Sequence, residues 1–161
     1  MSKTQIELLL TMIDQAFDHQ SWHGTNLRGS IRGIDGNTAA WRPSSGRHNI
    51  WELTVHAAYW KYAVLRRLRG EKRGSFALEG SNWFTRPIDS NPDEASWKAD
   101  VALLVQTHKL LREAIAGLND KDLPAIPANS KVSNAKLITG IAAHDLYHAG
   151  QIQLLKRLAR N

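Results

Sequence analysis

The chain has 161 residues, 42% of them hydrophobic, which is the size and composition of one soluble domain spanning residues 1–161. It contains no cysteine, so disulfides, thiolate metal ligands and a cysteine nucleophile are excluded. The formal net charge of +6 makes anionic partners, nucleic acid among them, worth considering. The N-terminal region lacks a signal-peptide pattern, and no apolar stretch approaches the ~20 residues that cross a bilayer, so we expect a cytoplasmic protein without membrane association.

The first predicted helix spans residues 4–19, where apolar residues recur at helical spacing. They are Ile6, Leu9, Leu10, Ile13 and Phe17. A break follows at Trp22-His23-Gly24. Leu27, Ile31 and Ile34 then predict a shorter helix, which ends in the turn-rich residues 33–37.

A second long helix is predicted over residues 49–69. Asn49, with Glu52 three residues later, resembles a capping box, and Gly70 follows the last helical residue. Its core side is expected to carry Ile50, Leu53, Ala57, Trp60, Val64 and Leu68.

Residues 70–91 predict a long connection, rich in Gly, Ser, Asn and Pro, that is anchored by packing of Phe76, Trp83 and Phe84. Asn91 and Pro92 are then expected to begin a third long helix, as its cap and first residue. Apolar residues in alternating steps of four and three predict its core seam. The seam consists of Trp97, Val101, Leu104, His108, Leu111, Ile115 and Leu118.

The last helix is predicted from a cap at Asn134 to Arg160, after a connector over residues 121–133. Its seam has the same spacing and consists of Leu137, Ile141, His144, His148, Gln151, Leu155 and Leu158. Four long helices with apolar stripes, and no strand-like alternation, predict an all-α fold. We expect a four-helix bundle with long connections between helices.

The last helix departs from an apolar seam at three successive inward positions, His144, His148 and Gln151. Buried imidazoles need partners, and residues four apart share a helix face with Cβ atoms ~5–6 Å apart. His144 and His148 are therefore predicted to bind one metal ion together. The alternative is two core histidines, each with its own hydrogen-bond partner. Asp145 is expected to turn away from the seam. The His-Glu-x-x-His pattern is absent, which argues against a zinc protease.

His56 lies within the second long helix, one residue from its most apolar line. Alone, it indicates an interior histidine with a hydrogen-bond partner. Together with His144 and His148, it completes three protein ligands and leaves a fourth position for water or substrate, as in catalytic zinc sites. Glu52 and Gln151 each lie one turn from a histidine and are predicted to orient it or to act as a base. The alternatives are a cap carboxylate and a surface amide.

The remaining histidines are given other roles. His108, on the third helix seam, either borders the metal site or is a core histidine bonded to a neighbour. His48 precedes the second long helix and is expected to contribute to its cap. His19 and His23 flank a helix end, where a loop role suffices.

The densest basic run contains Arg66, Arg67, Arg69, Lys72 and Arg73, at the predicted end of the second long helix. The helix macrodipole stabilises cations at this end without any ligand, so a solvated helix end is favoured. A nucleic-acid-binding surface and a site that attracts an anionic cofactor are the alternatives.

Two histidine-containing segments carry a resemblance. Residues 47–62, RHNIWELTVHAAYWKY, and residues 144–152, HDLYHAGQI, together resemble the DinB-like superfamily of bacterial metalloproteins, also called DinB/YfiT-like metalloenzymes. The resemblance extends over essentially the whole chain, including Trp22-His23-Gly24 and the loop at residues 80–84.

This resemblance implies a four-helix bundle that binds nickel or zinc, often within a homodimer. Its ligand pattern, one histidine on the second long helix and His-x-x-x-His on the last, corresponds to His56, His144 and His148. Characterised relatives include transferases that use a low-molecular-weight thiol, bacillithiol or mycothiol, as well as an isomerase and a hydrolase.

The leading hypothesis is a metal-dependent enzyme acting on a small-molecule substrate, either a thiol S-transferase or a hydrolase. The metal would activate water or a thiol, and any thiol must come from a cofactor because the chain has no cysteine. The alternative is a non-catalytic metal-binding or stress-response protein with the same site.

Overall fold

The computed structural model describes residues 4–89 and 91–160, which contain α-helices and turns and no β-strand. In chain order, the helices are α1 Thr4–Phe17, α2 Leu27–Ile31, α3 Gly36–Ala40, α4 Ile50–Leu68, α5 Glu94–Ala116 and α6 Asn134–Leu158. A short 3-10 turn, Asp120–Asp122, lies between α5 and α6. The predicted all-α class is confirmed, and none of the described helices combines the length and hydropathy needed to span a membrane.

The four long helices α1, α4, α5 and α6 pack side by side, and contacts between them give their directions. The indole of Trp51 donates to Asp100 at 2.7 Å, close to the first residues of α4 and α5, so these helices run parallel. His56 contacts the histidines of α6, whereas Lys61, further along α4, meets the earlier residue Asp145, so α6 is antiparallel to α4. The long connection over residues 69–93 returns the chain to the starting end of α4.

Helix α4 lies at the centre of the packing, against α5, α6 and α3. Every residue from Ile50 to Ala58 is buried, which is wider than the single stripe expected from the sequence. On the predicted core side, Trp60 and Leu68 are only half-buried. A helix with neighbours on several sides buries more than one face, and this central position brings His56 into the interior.

Side-chain caps fix where the long helices begin. Asn49 accepts a hydrogen bond from the backbone N–H of Glu52 at 2.8 Å, so the predicted cap of α4 is confirmed. The expected caps of α5 and α6 are wrong by two residues and one residue. Asp93 caps α5 by accepting from the N–H groups of Ala95 and Ser96, and Ser133 caps α6. Both residues have the short polar side chains that favour this position.

Several other boundaries differ from the sequence prediction. The first helix ends at Phe17, and the last ends at Leu158 rather than at residue 160. Helix α3, Gly36–Ala40, overlaps residues predicted as turn, because the Asp35 side chain accepts from the N–H of Thr38 and starts a short helix there. Leu118, expected in the seam of α5, follows the end of that helix.

Candidate metal centre

Three imidazoles meet between α4 and α6. His56 comes from α4, and His144 and His148 lie one turn apart on α6. The Nε2 atom of His144 is 3.2 Å from Nε2 of His56 and 3.1 Å from Nε2 of His148. One ligand atom from each residue lies within 4.8 Å of the other two. The structure thus brings together the three histidines that the sequence singled out.

Hydrogen bonds at the outer ring nitrogens orient two of these imidazoles. Nδ1 of His56 donates to the backbone oxygen of Asn82 at 2.8 Å, and Nδ1 of His148 donates to Oε1 of Gln151 at 2.6 Å. With the proton on Nδ1, the lone pair of each Nε2 faces the other rings. A proton on Nε2 of His144 can be donated to only one of the two neighbouring Nε2 atoms, those of His56 and His148. Nitrogen lone pairs without a proton donor therefore meet at this point.

Burial keeps the three rings neutral. It lowers the pKa of His56 to about 4 and that of His144 to about 3, and it lowers the pKa of His148 as well. Neutral imidazole is the form that binds metals. Tetrahedral ligands at zinc–nitrogen distances of ~2.0–2.1 Å lie about 3.3 Å apart, close to the observed Nε2 separations. The donor set and its spacing therefore fit a divalent transition metal.

The loop at residues 80–84 forms one side of the cluster. Asn82 has a positive φ of 64°, and its side-chain Oδ1 accepts from Nε1 of Trp60 at 2.9 Å. Trp83 stacks on His56, with ring centroids 3.8 Å apart, and on His48 at 3.6 Å. Sequence reasoning expected Trp83 to fill core volume and gave Asn82 no role, whereas both contact His56. The resemblance included this loop, which was the available signal.

The hydrogen bonds of the Glu52 carboxylate among the described residues do not include His56. This carboxylate receives two hydrogen bonds from Arg42, at 2.6 and 2.8 Å, one from His48 at 3.0 Å and one from the backbone N–H of Arg86. Burial opposes ionisation, but the hydrogen bonds from Arg42 and His48 prevail and lower the pKa of Glu52 to about 2. Glu52 is thus an ionised anchor for Arg42 and His48, and His48 connects it to the Trp83 stack.

Gln151 is in direct contact with a candidate ligand. Its Oε1 accepts from Nδ1 of His148, which fixes the orientation of that ring. An oxygen that binds the outer nitrogen of a ligating histidine also makes the inner nitrogen a stronger donor. Gln151 was singled out because it continues the polar inward positions of α6, and the structure places it where it can orient His148.

The other histidines lie outside the cluster. His108 is buried and stacks on Phe17 with centroids 3.6 Å apart, and its Nδ1 has no hydrogen-bond partner among the described residues. Burial, reinforced by the charges of Lys61 and Arg112, lowers its pKa to about 2. The expected hydrogen bond to a neighbour is therefore absent at this nitrogen among the described residues, and the ring packs by stacking instead.

A second polar pair bridges α4 and α6 beside the histidines. Lys61 and Asp145 are both 0% exposed, and Nζ of Lys61 lies 2.5 Å from Oδ2 of Asp145. Asp145 was expected to turn away from the seam, and this prediction is wrong because α4 covers a broader face of α6 than one stripe. Burial raises the pKa of Asp145 to about 6, and the Lys61 charge opposes that rise.

A cavity of about 450 Å³ opens next to His148. Apolar side chains form much of its wall, and Arg47, His48 and Gln151 add polar groups. The apolar members are Pro43, Leu53, Trp83, Leu154 and Leu155. A small organic molecule in this cavity would lie against the imidazole of His148.

Comparison with known families agrees with this architecture. The family model of the DinB superfamily matches residues 19–152, a range that contains all three histidines. Comparison with curated proteins and with solved structures finds no match to this chain. The three-histidine arrangement fits a metal-dependent protein. Because the family match covers most of the sequence, the chain belongs to the DinB superfamily.

Proposed function

We propose that the protein is a metal-dependent enzyme acting on small molecules, in which His56, His144 and His148 hold a divalent ion, nickel or zinc. The observation that carries this proposal is the convergence of three imidazole nitrogens within 4.8 Å of one another. Three protein ligands leave coordination positions for another molecule. An ion held there would lower the pKa of a bound water or thiol and supply a nucleophile at neutral pH.

The surrounding residues would hold the donor atoms in place. Asn82 and Gln151 fix the rings of His56 and His148 through their Nδ1 atoms. Trp83 covers one face of His56 and keeps water from that ring. Partners of this kind, outside the ligand set, tune metal affinity and ligand basicity.

The cavity beside His148 supports a substrate with an apolar body. Leu53, Trp83 and Leu155 supply apolar wall, and Arg47 is exposed at the cavity with no carboxylate partner among the described residues. A negatively charged group on the substrate would therefore find its counter-charge at Arg47. We propose thiol S-transfer or hydrolysis as the reaction. In the first case the thiol is a separate molecule, because the chain has no cysteine.

Metal content of purified variants tests the site. Wild-type protein exposed to zinc or nickel and then dialysed should retain about one ion per chain by elemental analysis. His148→Ala should lose most of it, because a ligand and its Gln151 contact are both removed. His19→Ala is the matched control, since His19 is exposed and bonds to Asp18. Equal metal content in the two variants would contradict the ligand assignment.

Activity of the loaded protein tests the reaction. Transfer of a low-molecular-weight thiol to an electrophile, or hydrolysis of an ester or amide, should depend on added metal and be lost in His148→Ala. Stoichiometric metal without turnover over a broad panel of such substrates would instead favour a non-catalytic metal-binding or stress-response protein.

The homodimer expected from the resemblance stays a prediction. Exposed apolar side chains at Tyr147, Leu154 and Leu158 of α6 support it.

A further inference from the structure

The end of α4 contains an arginine that is buried without a counter-charge. Arg66 is 2% exposed, and its guanidinium has no hydrogen bond or ion pair among the described residues. Its neighbour Arg67 is half-buried, and its Nε is enclosed and likewise unpartnered. Buried guanidinium groups normally bind a carboxylate, a phosphate or backbone oxygens, so this pair lacks an anion.

Stabilisation by the helix end explains only part of this arrangement. Cations near a helix C-terminus interact with free carbonyls, but an exposed side chain suffices for that effect. Burial lowers the pKa of Arg67, and the charges of Arg66 and Arg73 lower it further, so each of these two cations repels Arg67. Nearby acidic groups do not relieve the repulsion. Glu71 lies 3.8 Å from Arg69, and Glu79 is exposed without an ion pair among the described residues.

A cavity of about 510 Å³ is lined by one of these cations, Arg73. Its wall includes Tyr59, Tyr62, Arg73, Phe76 and one acidic residue, Glu79. The hydroxyl oxygen of Tyr62 accepts from the N–H and the Oγ–H of Ser75, at 3.1 and 3.2 Å, so its own hydrogen remains available to an acceptor in the cavity. Arg66 lies four residues beyond Tyr62 in α4, so the two side chains share one face of the helix next to this wall. Although burial opposes the change, the hydrogen bonds and the Arg66 charge lower the pKa of Tyr62, in agreement with this placement.

We propose that this cavity is an anion site for the phosphate group of a small organic molecule, with Arg66, Arg67 and Arg73 supplying the positive charge. Guanidinium groups match phosphate oxygens in geometry and charge. The rings of Tyr59 and Phe76, 5.4 Å apart, offer an apolar surface for the rest of the ligand. Arg66 is ten residues beyond His56 on α4, about 15 Å along the axis, so the cations lie away from the histidines, while Gly80 and Ser81 of the loop beside His56 form the other part of the cavity wall.

Calorimetric titration of the full-length protein with phenyl phosphate tests the proposal, with inorganic phosphate as a second probe and phenol as an uncharged one. The titration is repeated in His148→Ala, so that phosphate held by a metal at the histidines is not counted. We expect phenyl phosphate to bind in both proteins, inorganic phosphate more weakly, and phenol not at all. Loss of phenyl phosphate binding in His148→Ala, or no binding to either protein, would overturn the proposal.

Two arginine variants and one lysine variant locate the site. Arg73→Gln should weaken phenyl phosphate binding about tenfold, whereas Lys72→Gln, which removes the same charge from the adjacent exposed residue, should weaken it less than about twofold. Arg66→Met should also weaken binding, without lowering the melting temperature of the ligand-free protein, because it removes an unpaired buried charge. Arg73 is exposed, so its variant keeps the test valid if Arg66→Met misfolds.

Equal losses in Arg73→Gln and Lys72→Gln would indicate attraction by the general positive field and overturn a defined site. A DNA oligonucleotide that binds more tightly than phenyl phosphate, with both residues contributing equally, would replace the proposal with a nucleic-acid surface.

Discussion

Two polar clusters bridge α4 and α6 within the core, and they are balanced in different ways. Lys61 and Asp145 carry opposite charges that cancel at 2.5 Å, although Oδ1 of Asp145 has no hydrogen-bond partner among the described residues. The three histidines are neutral, and their Nε2 atoms face one another with more lone pairs than protons. The Lys61–Asp145 pair therefore links α4 to α6, whereas the three histidines have nitrogen donor atoms that can bind a cation.

The comparison predicts the largest effect at the ion pair. Lys61→Met leaves the Asp145 carboxylate buried without its partner, which should lower the free energy of unfolding by about 3–5 kcal/mol. Lys61→Met/Asp145→Leu removes both charges and should recover most of that loss. Urea denaturation followed by circular dichroism measures both variants. A double variant no more stable than the single one would show that packing of the Lys61 stem, not its charge, is what matters.

At the histidine cluster, the expected effect is on metal affinity. Gln151→Ala removes the hydrogen-bond acceptor of His148 and should weaken zinc or nickel binding about 10–100-fold. Gln153→Ala, two residues further along α6, is the matched control because no hydrogen bond joins it to a candidate ligand in the part of the chain that the structure describes. Competition with a chelating dye measures both affinities. Similar values for the two variants would mean that orientation of His148 does not depend on Gln151.

His108 belongs to neither cluster and provides a prediction on pH. An unfolded histidine takes up a proton below its ordinary pKa of about 6.5, whereas folded His108, with its pKa lowered to about 2, stays neutral. Stability is therefore complete above about pH 6.5 and falls as the pH drops, by about 2 kcal/mol between pH 7 and pH 5 from this residue.

His108→Phe keeps an aromatic ring against Phe17 and removes this proton uptake. Its loss of unfolding free energy between those two pH values should be smaller than that of the wild type by the same amount, about 2 kcal/mol. Denaturation curves of the metal-free proteins at the two pH values make the measurement. Identical pH dependence would place the acid sensitivity in other residues.

The smallest expected effect is at Asn82, which holds His56 through its backbone oxygen. Asn82→Ala keeps that oxygen but loses the side-chain bond to Trp60 and puts alanine at a positive φ, so it should destabilise the fold by about 1–2 kcal/mol. Asn82→Gly loses the same bond without the backbone strain and should be the more stable of the two. Thermal unfolding compares them. If the Asn82→Ala protein is as stable as the Asn82→Gly protein, the backbone at this position is not strained.

Several features of the fold follow from local sequence pattern. Spacing of apolar residues predicted α1, α4, α5 and α6, and Asn49 was identified as a cap because its side chain reaches an N–H only three residues away. Helix α3 was not predicted, because five residues are too few to establish a periodic pattern. The cap of α5 was misplaced because Asn91 and Asp93 are both good caps and local chemistry does not choose between them.

Part of the candidate site could also be predicted from local sequence pattern. His144, His148 and Gln151 stood out because polar residues replaced apolar ones at inward positions of one helix, and that signal is contained in a single segment. His56 required the resemblance or a partner helix to be recognised, since one interior histidine is unremarkable by itself. Contacts between distant segments, such as Asn82 with His56 or Arg42 with Glu52, carry no comparable local signal.

The sequence alone determined the helical pattern, the absence of thiol chemistry within the chain and the histidines that can bind a metal, because each depends on residue type and short-range spacing. Tertiary structure decided that three imidazoles share one point, that Lys61 neutralises Asp145 inside the core and that Arg66 is buried without an anion. These outcomes depend on which helix faces lie opposite one another. For helices that are far apart in the chain, the opposing faces are determined only when the helices pack against each other.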